Sequence, residues 1–291
     1  MSKDITVKDG MLYGGWREPI NIWLNAPGSI HNDEVAHKIG MRGGTIPGTI
    51  HLNLFPPVLI EAFGQRWFET GTLSMYYTYA TLHREEVRVV MPVPPEGKED
   101  VSVEVRVEMK DGQIVAKGTV SVGHPKEPSY LCSLDLNNAD PDELRILAGL
   151  EAGQELPTTD VLMKQEDIDK DLENITDPLD WYKGESPWGE AIVNPSAMYH
   201  ALMLTPRLPE GRTIDAVGFF GATEIKNIDG PIKVGVPYQA SGELICVGAS
   251  PKTEYFWYDS TLKEKETNKT VAQMRHMTRF MKASSPLYLK S

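Results

Sequence analysis

The groups best suited to proton chemistry lie between residues 26 and 52. The stretch Ala26-Pro27-Gly28-Ser29-Ile30-His31-Asn32-Asp33-Glu34 sets a histidine two residues ahead of an aspartate. An imidazole titrates near neutrality and can take up or give a proton at working pH. The acid beside it is expected to be Asp33, Glu34 or a residue from the other half, and His31 with Asp33 forms the candidate catalytic pair. Further on, Gly48 opens an apolar run that continues Thr49-Ile50-His51-Leu52. A glycine there lets a ligand carbonyl come close to the backbone, and N–H groups at the start of a helix lack intrahelical acceptors. A base, an acid and backbone donors together suit proton transfer beside a carbonyl whose oxygen gains charge. Gly48, Thr49 and His51 are therefore candidate substrate-binding residues.

The same residues have plainer roles. Asn32 and Asp33 suit a helix start, and His51 suits a histidine packed beneath a sheet. In the second half, Asn194-Pro195-Ser196-Ala197-Met198-Tyr199-His200 offers Asn194 and Tyr199 as further binding candidates. Asn194 is also a good helix N-cap. Tyr199 and His200 are helical neighbours, so only one of them faces a shared cavity. Glu224 and Glu254 interrupt apolar strands, and each is expected to line a pocket or to face solvent.

The elements that must hold these groups repeat along the chain. Residues 33–39 read as a short helix. Residues 49–63 read as a longer one that either kinks at Pro56-Pro57 or starts afresh there, because proline is tolerated only in a first turn. Strands follow at 71–82, 86–92, 101–109 and 114–123. The third alternates strictly, with valines on one face and Ser102, Glu104, Arg106 and Glu108 on the other, which is the period of a half-solvated antiparallel strand. Residues 133–187 form an acidic connector with short helices at 141–147 and 164–175. The order then recurs: a loop, a helix opening near Pro195, and strands at 216–228, 235–247, 252–261 and 270–281. The implied division is an N-terminal unit at 1–132, a connector at 133–187 and a C-terminal unit at 188–291. Residues 1–24 are expected to add an edge strand and a packing arm.

Composition narrows the function classes. The 291 residues are 41% hydrophobic and 24% charged, which suits a soluble globular chain of about two domains. A net charge of -12 argues against nucleic acid or an anionic membrane as partner, since phosphates need a basic surface. The two cysteines, Cys132 and Cys246, lie in apolar surroundings and are expected as buried free thiols. No cysteine–histidine pattern suggests a metal, and no motif calls for a cofactor. The N-terminus lacks a secretory apolar region, and no apolar run reaches the roughly 18 residues of a membrane span. A cytoplasmic protein is expected.

The stretch from His31 to Gly48 resembles the hydratase signature of the MaoC-like acyl-thioester hydratases, which are hotdog-fold proteins. That signature reads Asp-x-Asn-Pro-x-His-x-Asp, then an Ala, a Gly-Phe pair and a Gly opening a central helix. His31-Asn32-Asp33 matches its His-x-Asp, Ala36 falls near its Ala, Gly40-Met41 resembles its Gly-Phe, and Gly48 sits where its helix opens. One position departs: Ala26 stands where the family carries its catalytic Asp. The resemblance implies an α+β double hotdog, in which two antiparallel sheets each wrap a central helix as a pseudo-dimer. It also implies a homo-oligomer, an α,β-unsaturated acyl thioester or related enone as substrate, and His31 as acid/base. Two alternatives stand beside it. One is a hotdog thioesterase using Glu61 or Glu190, and the other is a non-catalytic acyl-binding subunit.

Overall fold

Strict alternation along 101–109 and the proline pair at 56–57 set the two kinds of element from which the molecule is built. The computed structural model describes residues 4–24 and 26–289. In chain order these form β1 (Thr6–Lys8), β2 (Met11–Tyr13), α1 (Asp33–Lys38), α2 (Gly48–Leu52), α3 (Pro56–Phe63), α4 (Arg66–Thr70), β3 (Thr72–Tyr77), β4 (Val87–Pro92), β5 (Val101–Met109) and β6 (Ile114–Val122). They continue with β7 (Glu155–Leu162), α5 (Gln165–Leu172), α6 (Pro195–Leu202), β8 (Gly218–Asn227), β9 (Pro237–Ala249), β10 (Thr253–Glu264), β11 (Thr270–Met281) and α7 (Pro286–Leu289). The N-terminal edge pair β1–β2 matches the expected edge strand, although residues 1–3 of that segment lie outside the described residues.

All strands join one antiparallel sheet in the order β1-β2-β4-β5-β6-β3-β8-β11-β10-β9-β7. The two expected sheets therefore meet edge to edge. The seam is β3 against β8, with Leu73 opposite Ile225 and Met75 opposite Thr223. Each half wraps its own helical layer. In the first half Pro56 and Pro57 occupy the first turn of α3, where a missing N–H costs nothing. The apolar run is thus broken into α2, α3 and α4 rather than kinked. Leu52, Phe55, Val58, Leu59, Trp67 and Phe68 of this layer are buried against the sheet. In the second half α6 lies on β8, β9, β10 and β11, and it also touches α2. There Asn53 Nδ2 donates to Ser196 Oγ at 3.0 Å, and Ser196 N donates to Asn53 Oδ1 at 3.1 Å. The opposite face of the sheet near the seam carries a separate apolar cluster of Leu131, Ala222, Cys246, Trp257 and Met277.

Three local expectations need correction. The connector contributes a strand, β7, paired with β9 at the sheet edge. Cys132 is exposed, unlike Cys246. It sits in a 3-10 turn in which Leu131 takes the inward position, so its thiol is left outside, within 3.7 Å of Glu224 Oε1. Glu254 neither lines the main cavity nor faces solvent. It is fully buried and accepts the backbone N–H groups of Arg145, Ile146 and Leu147 at 2.8–3.1 Å, together with the Tyr288 hydroxyl at 2.5 Å. A buried carboxylate persists only with partners of this kind. Glu224 is also buried and accepts the Ser129 hydroxyl at 2.5 Å. Among the described residues, no helix is long and apolar enough to cross a membrane.

Candidate active site

His31 sits in a turn-rich loop whose backbone is tied on three sides. Asn21, itself buried, donates from Nδ2 to the His31 carbonyl at 2.8 Å. Thr45 N donates to the Ile30 carbonyl at 3.2 Å. Asp33 Oδ1 accepts the Gly44 N–H at 2.7 Å. Gly44 permits this approach, because a Cβ there would stand 2.2 Å from the His31 carbonyl oxygen. Asn32 caps α1 by accepting from Glu34 N and Val35 N, so the loop leads straight into a helix.

These ties orient the ring. His31 Nδ1 lies 2.7 Å from the Thr45 carbonyl oxygen. A carbonyl only accepts, so Nδ1 carries the hydrogen and Nε2 keeps a lone pair. Burial pushes the His31 pKa below its usual value, partly opposed by the bond to the Thr45 carbonyl. The ring is therefore neutral at neutral pH, in the state a general base needs.

His31 and Gly48 line one cavity of about 600 Å³ that opens between the two helical layers. Gly48 begins α2, and its carbonyl accepts the Tyr77 hydroxyl at 3.0 Å. Phe220 of β8 packs so closely over Gly48 that a Cβ would lie 2.7 Å from its ring. His51 also lines the cavity. Its Nε2 pairs with the Thr81 hydroxyl at 2.9 Å, its Nδ1 is sealed and unpartnered, and burial lowers its pKa to about 4. Tyr199 reaches the same cavity from α6, while His200 points outward, as their adjacency requires.

The remaining candidates lie elsewhere. Asp33 is outside the cavity lining, and its carboxylate holds Gly44 and, through it, the strand segment that receives His31. Thr49 is buried but does not border the cavity. Asn194 is fully buried and accepts from Ala197 N at 3.0 Å and from Ser196 Oγ at 2.7 Å, which makes it the cap of α6. Glu61 is exposed on α3, and Glu190 is exposed and paired with Lys233 at 2.8 Å. Neither borders the cavity.

Several cavity groups escaped the sequence reading. Thr45 acts through its backbone oxygen, and Thr81 through a hydroxyl that only the fold brings beneath α2. Phe256 and Phe280 join Phe219 and Phe220 in an aromatic wall supplied by β8, β10 and β11. Among the strand aromatics, Tyr76, Tyr255 and Trp257 pack on the opposite face of the sheet. Arg279 borders the cavity, but its guanidinium bonds the Tyr76 hydroxyl and Met277 Sδ on that opposite face. Among the described residues, the cavity lining contains no aspartate or glutamate.

No family model and no curated protein sequence matches the chain. Solved structures do. One described as a MaoC-domain dehydratase from Chloroflexus aurantiacus J-10-fl superposes with a TM-score of 0.61 at 11% identity, covering 96% of this chain and 94% of that one. A conserved protein of Mycobacterium tuberculosis described as having a double hotdog fold gives 0.53 at 11% identity, covering 86% of each chain. The dehydratase domain from the CurH module of curacin polyketide synthase gives 0.51 at 16% identity, covering 99% of this chain and 98% of that one. With one antiparallel sheet folded around two central helical layers, the chain has the double-hotdog fold found in MaoC-like dehydratases.

Proposed function

We propose that the protein adds water to, or removes it from, an α,β-unsaturated acyl thioester or related enone, with His31 as the acid/base group. The observation that carries this reading is the meeting of His31 and Gly48 on one cavity, with the Nε2 lone pair of His31 left available by the Nδ1 bond to Thr45. In this reading the thioester carbonyl lies against the start of α2, where the backbone N–H of Gly48 has no backbone acceptor among the described residues. Such donors stabilise the enolate oxygen that develops during the reaction.

The acyl group follows from the wall facing it. Phe219, Phe220, Phe256 and Phe280 favour a bulky or aromatic chain. An acyl group bearing its own carboxylate finds no cationic side chain there, since the Arg279 guanidinium is turned away, and burying an unpaired charge is costly. The thioesterase alternative needs an acid aimed at the thioester, and neither Glu61 nor Glu190 borders the cavity.

The test is a panel of enoyl-CoA and 3-hydroxyacyl-CoA thioesters assayed for gain or loss of the conjugated double bond. His31→Ala is expected to lower turnover about 10²–10⁴-fold, the usual worth of a general acid/base group, with the circular dichroism spectrum unchanged. Wild-type turnover in that variant sinks the reading, and so does release of free CoA without a hydrated product.

A further inference from the structure

A hydratase of this fold is expected to divide its two proton transfers between a histidine and a carboxylate, and here the carboxylate position is Ala26. The structure offers no substitute. No aspartate or glutamate borders the cavity among the described residues. Asp33 is committed to the Gly44 N–H. Glu224 and Glu254 are bound to Ser129 and to the 145–147 backbone, away from the cavity. His51 has one nitrogen on Thr81 and the other sealed, so it has no face from which to deliver a proton. Of the tyrosine hydroxyls, Tyr77 is spent on the Gly48 carbonyl and Tyr258 accepts from Leu204 N. Tyr199 borders the cavity, and no hydrogen bond to its hydroxyl is found among the described residues. Its ring stands 4.8 Å from Phe220, the residue that covers Gly48.

We propose that His31 is a lone base that carries both proton transfers, and that the Tyr199 hydroxyl orients the water without giving up its proton. The inference rests on the hydratase reading above. In the hydration direction, His31 Nε2 takes a proton from water as the water oxygen bonds to Cβ. The C=C electron pair moves toward the carbonyl and leaves an enolate. The imidazolium then returns that proton to Cα, the carbonyl re-forms, and the C–S bond is never touched. The ring ends neutral, as it began, and one water has been added. Dehydration is the reverse, with the β-hydroxyl leaving as water on the proton that His31 took from Cα. Tyr199 suits a fixed donor because burial raises its pKa well above the usual phenol value.

The groups surrounding His31 are few. His51 faces the cavity from α2, Tyr77 and Tyr79 from β3 and the turn after it, and Tyr199 from α6. Asp33 lies behind the loop, and His83 is held there by the Asn21 N–H at 3.0 Å. Tyr258 from β10 and Arg279 from β11 also border the cavity, and none of the described groups that line it is a carboxylic acid.

The experiment is the pH profile of kcat/KM for wild type and Tyr199→Phe with an enoyl thioester. A base–acid pair gives a bell. A lone base gives a single acid limb, below the ordinary histidine value, and a flat plateau on the alkaline side. Tyr199→Phe is expected to lower kcat about 10–100-fold while keeping the same single limb, a range within what one positioned hydrogen bond contributes to a transition state. An alkaline limb in wild type overturns the proposal while leaving the hydratase reading intact. An unchanged kcat in Tyr199→Phe removes the role given to that hydroxyl. Absence of wild-type turnover on every enoyl and hydroxyacyl thioester overturns both the reading and the proposal.

Discussion

Acidification should unfold this protein chiefly through two histidines buried without charge partners. His276 on β11 is fully buried. Its Nδ1 pairs with the Thr223 hydroxyl at 3.0 Å, its Nε2 has no partner, and its ring is boxed by Tyr199, Phe220 and Tyr258 at 4.5–5.6 Å. Burial lowers its pKa from 6.5 to about 3, and that of His51 from 6.5 to about 4. Between those limits the unfolded chain binds protons that the folded chain refuses, so stability rises with pH and falls on acidification. Each histidine contributes a slope of about 1.4 kcal/mol per pH unit below its unfolded pKa. Lowering the pH by two units from 6.5 therefore removes about 5 kcal/mol through the pair, comparable with the whole stability of many domains. Urea unfolding followed by tryptophan fluorescence between about pH 5 and 7 measures the slope. His276→Phe keeps a ring in the aromatic box and removes the titration. It should lose about 1 kcal/mol at neutral pH, from the unpaired Thr223 hydroxyl, yet lower the acid slope by about 1.4 kcal/mol per pH unit. An unchanged slope in that variant would show that His276 is not the group refusing the proton.

Two further outcomes test the framework around the site. Asp33→Ala frees the Gly44 N–H and loosens the segment that receives His31. Turnover should fall about tenfold, matching one hydrogen bond of about 1–1.5 kcal/mol, with little change in melting temperature; full activity would mean that Gly44 is held without it. Glu254→Ala strips the acceptor from three N–H groups, two of them buried, and should cost about 3 kcal/mol or more, read as a large drop in thermal midpoint, whereas a loss under about 0.5 kcal/mol would show that water replaces the carboxylate.

Much of the strand pattern was legible because alternation is a local property. Val101, Val105 and Val107 turn inward on β5, while Arg88, Glu108 and Arg106 pair on its other face. The cap of α6 by Asn194 was equally legible, since capping spans three residues. β7 was not: its residues are mostly exposed, and an edge strand held only by β9 carries little apolar signal. Nor was the environment of Glu254, whose backbone donors lie more than a hundred residues away. Within the site, His31 and Gly48 were visible as residue types. The Thr45 oxygen that sets the His31 tautomer belongs to the backbone, which no side-chain pattern reveals. The shared cavity that brings Tyr199 to His31 depends on how α6 crosses α2.

The seam between β3 and β8 makes one polypeptide of two like halves, and that frees them from each other. In a dimer of identical subunits every substitution is made twice, so whatever closes one cleft closes its twin. Here the start of α2 borders an open chamber, while the start of α6 is packed by Trp67, Phe68, Val193 and Ile232 with about 10 Å³ to spare. Trp181 packs edge-on against Phe68 and Trp188, and Trp188 lies tilted on Phe68, which reinforces that plug. The second half can thus supply wall, aromatic lining and the Tyr199 hydroxyl to the first, with no second chamber to keep open. Its changes are free to reshape the acyl chamber without disturbing the loop that carries His31.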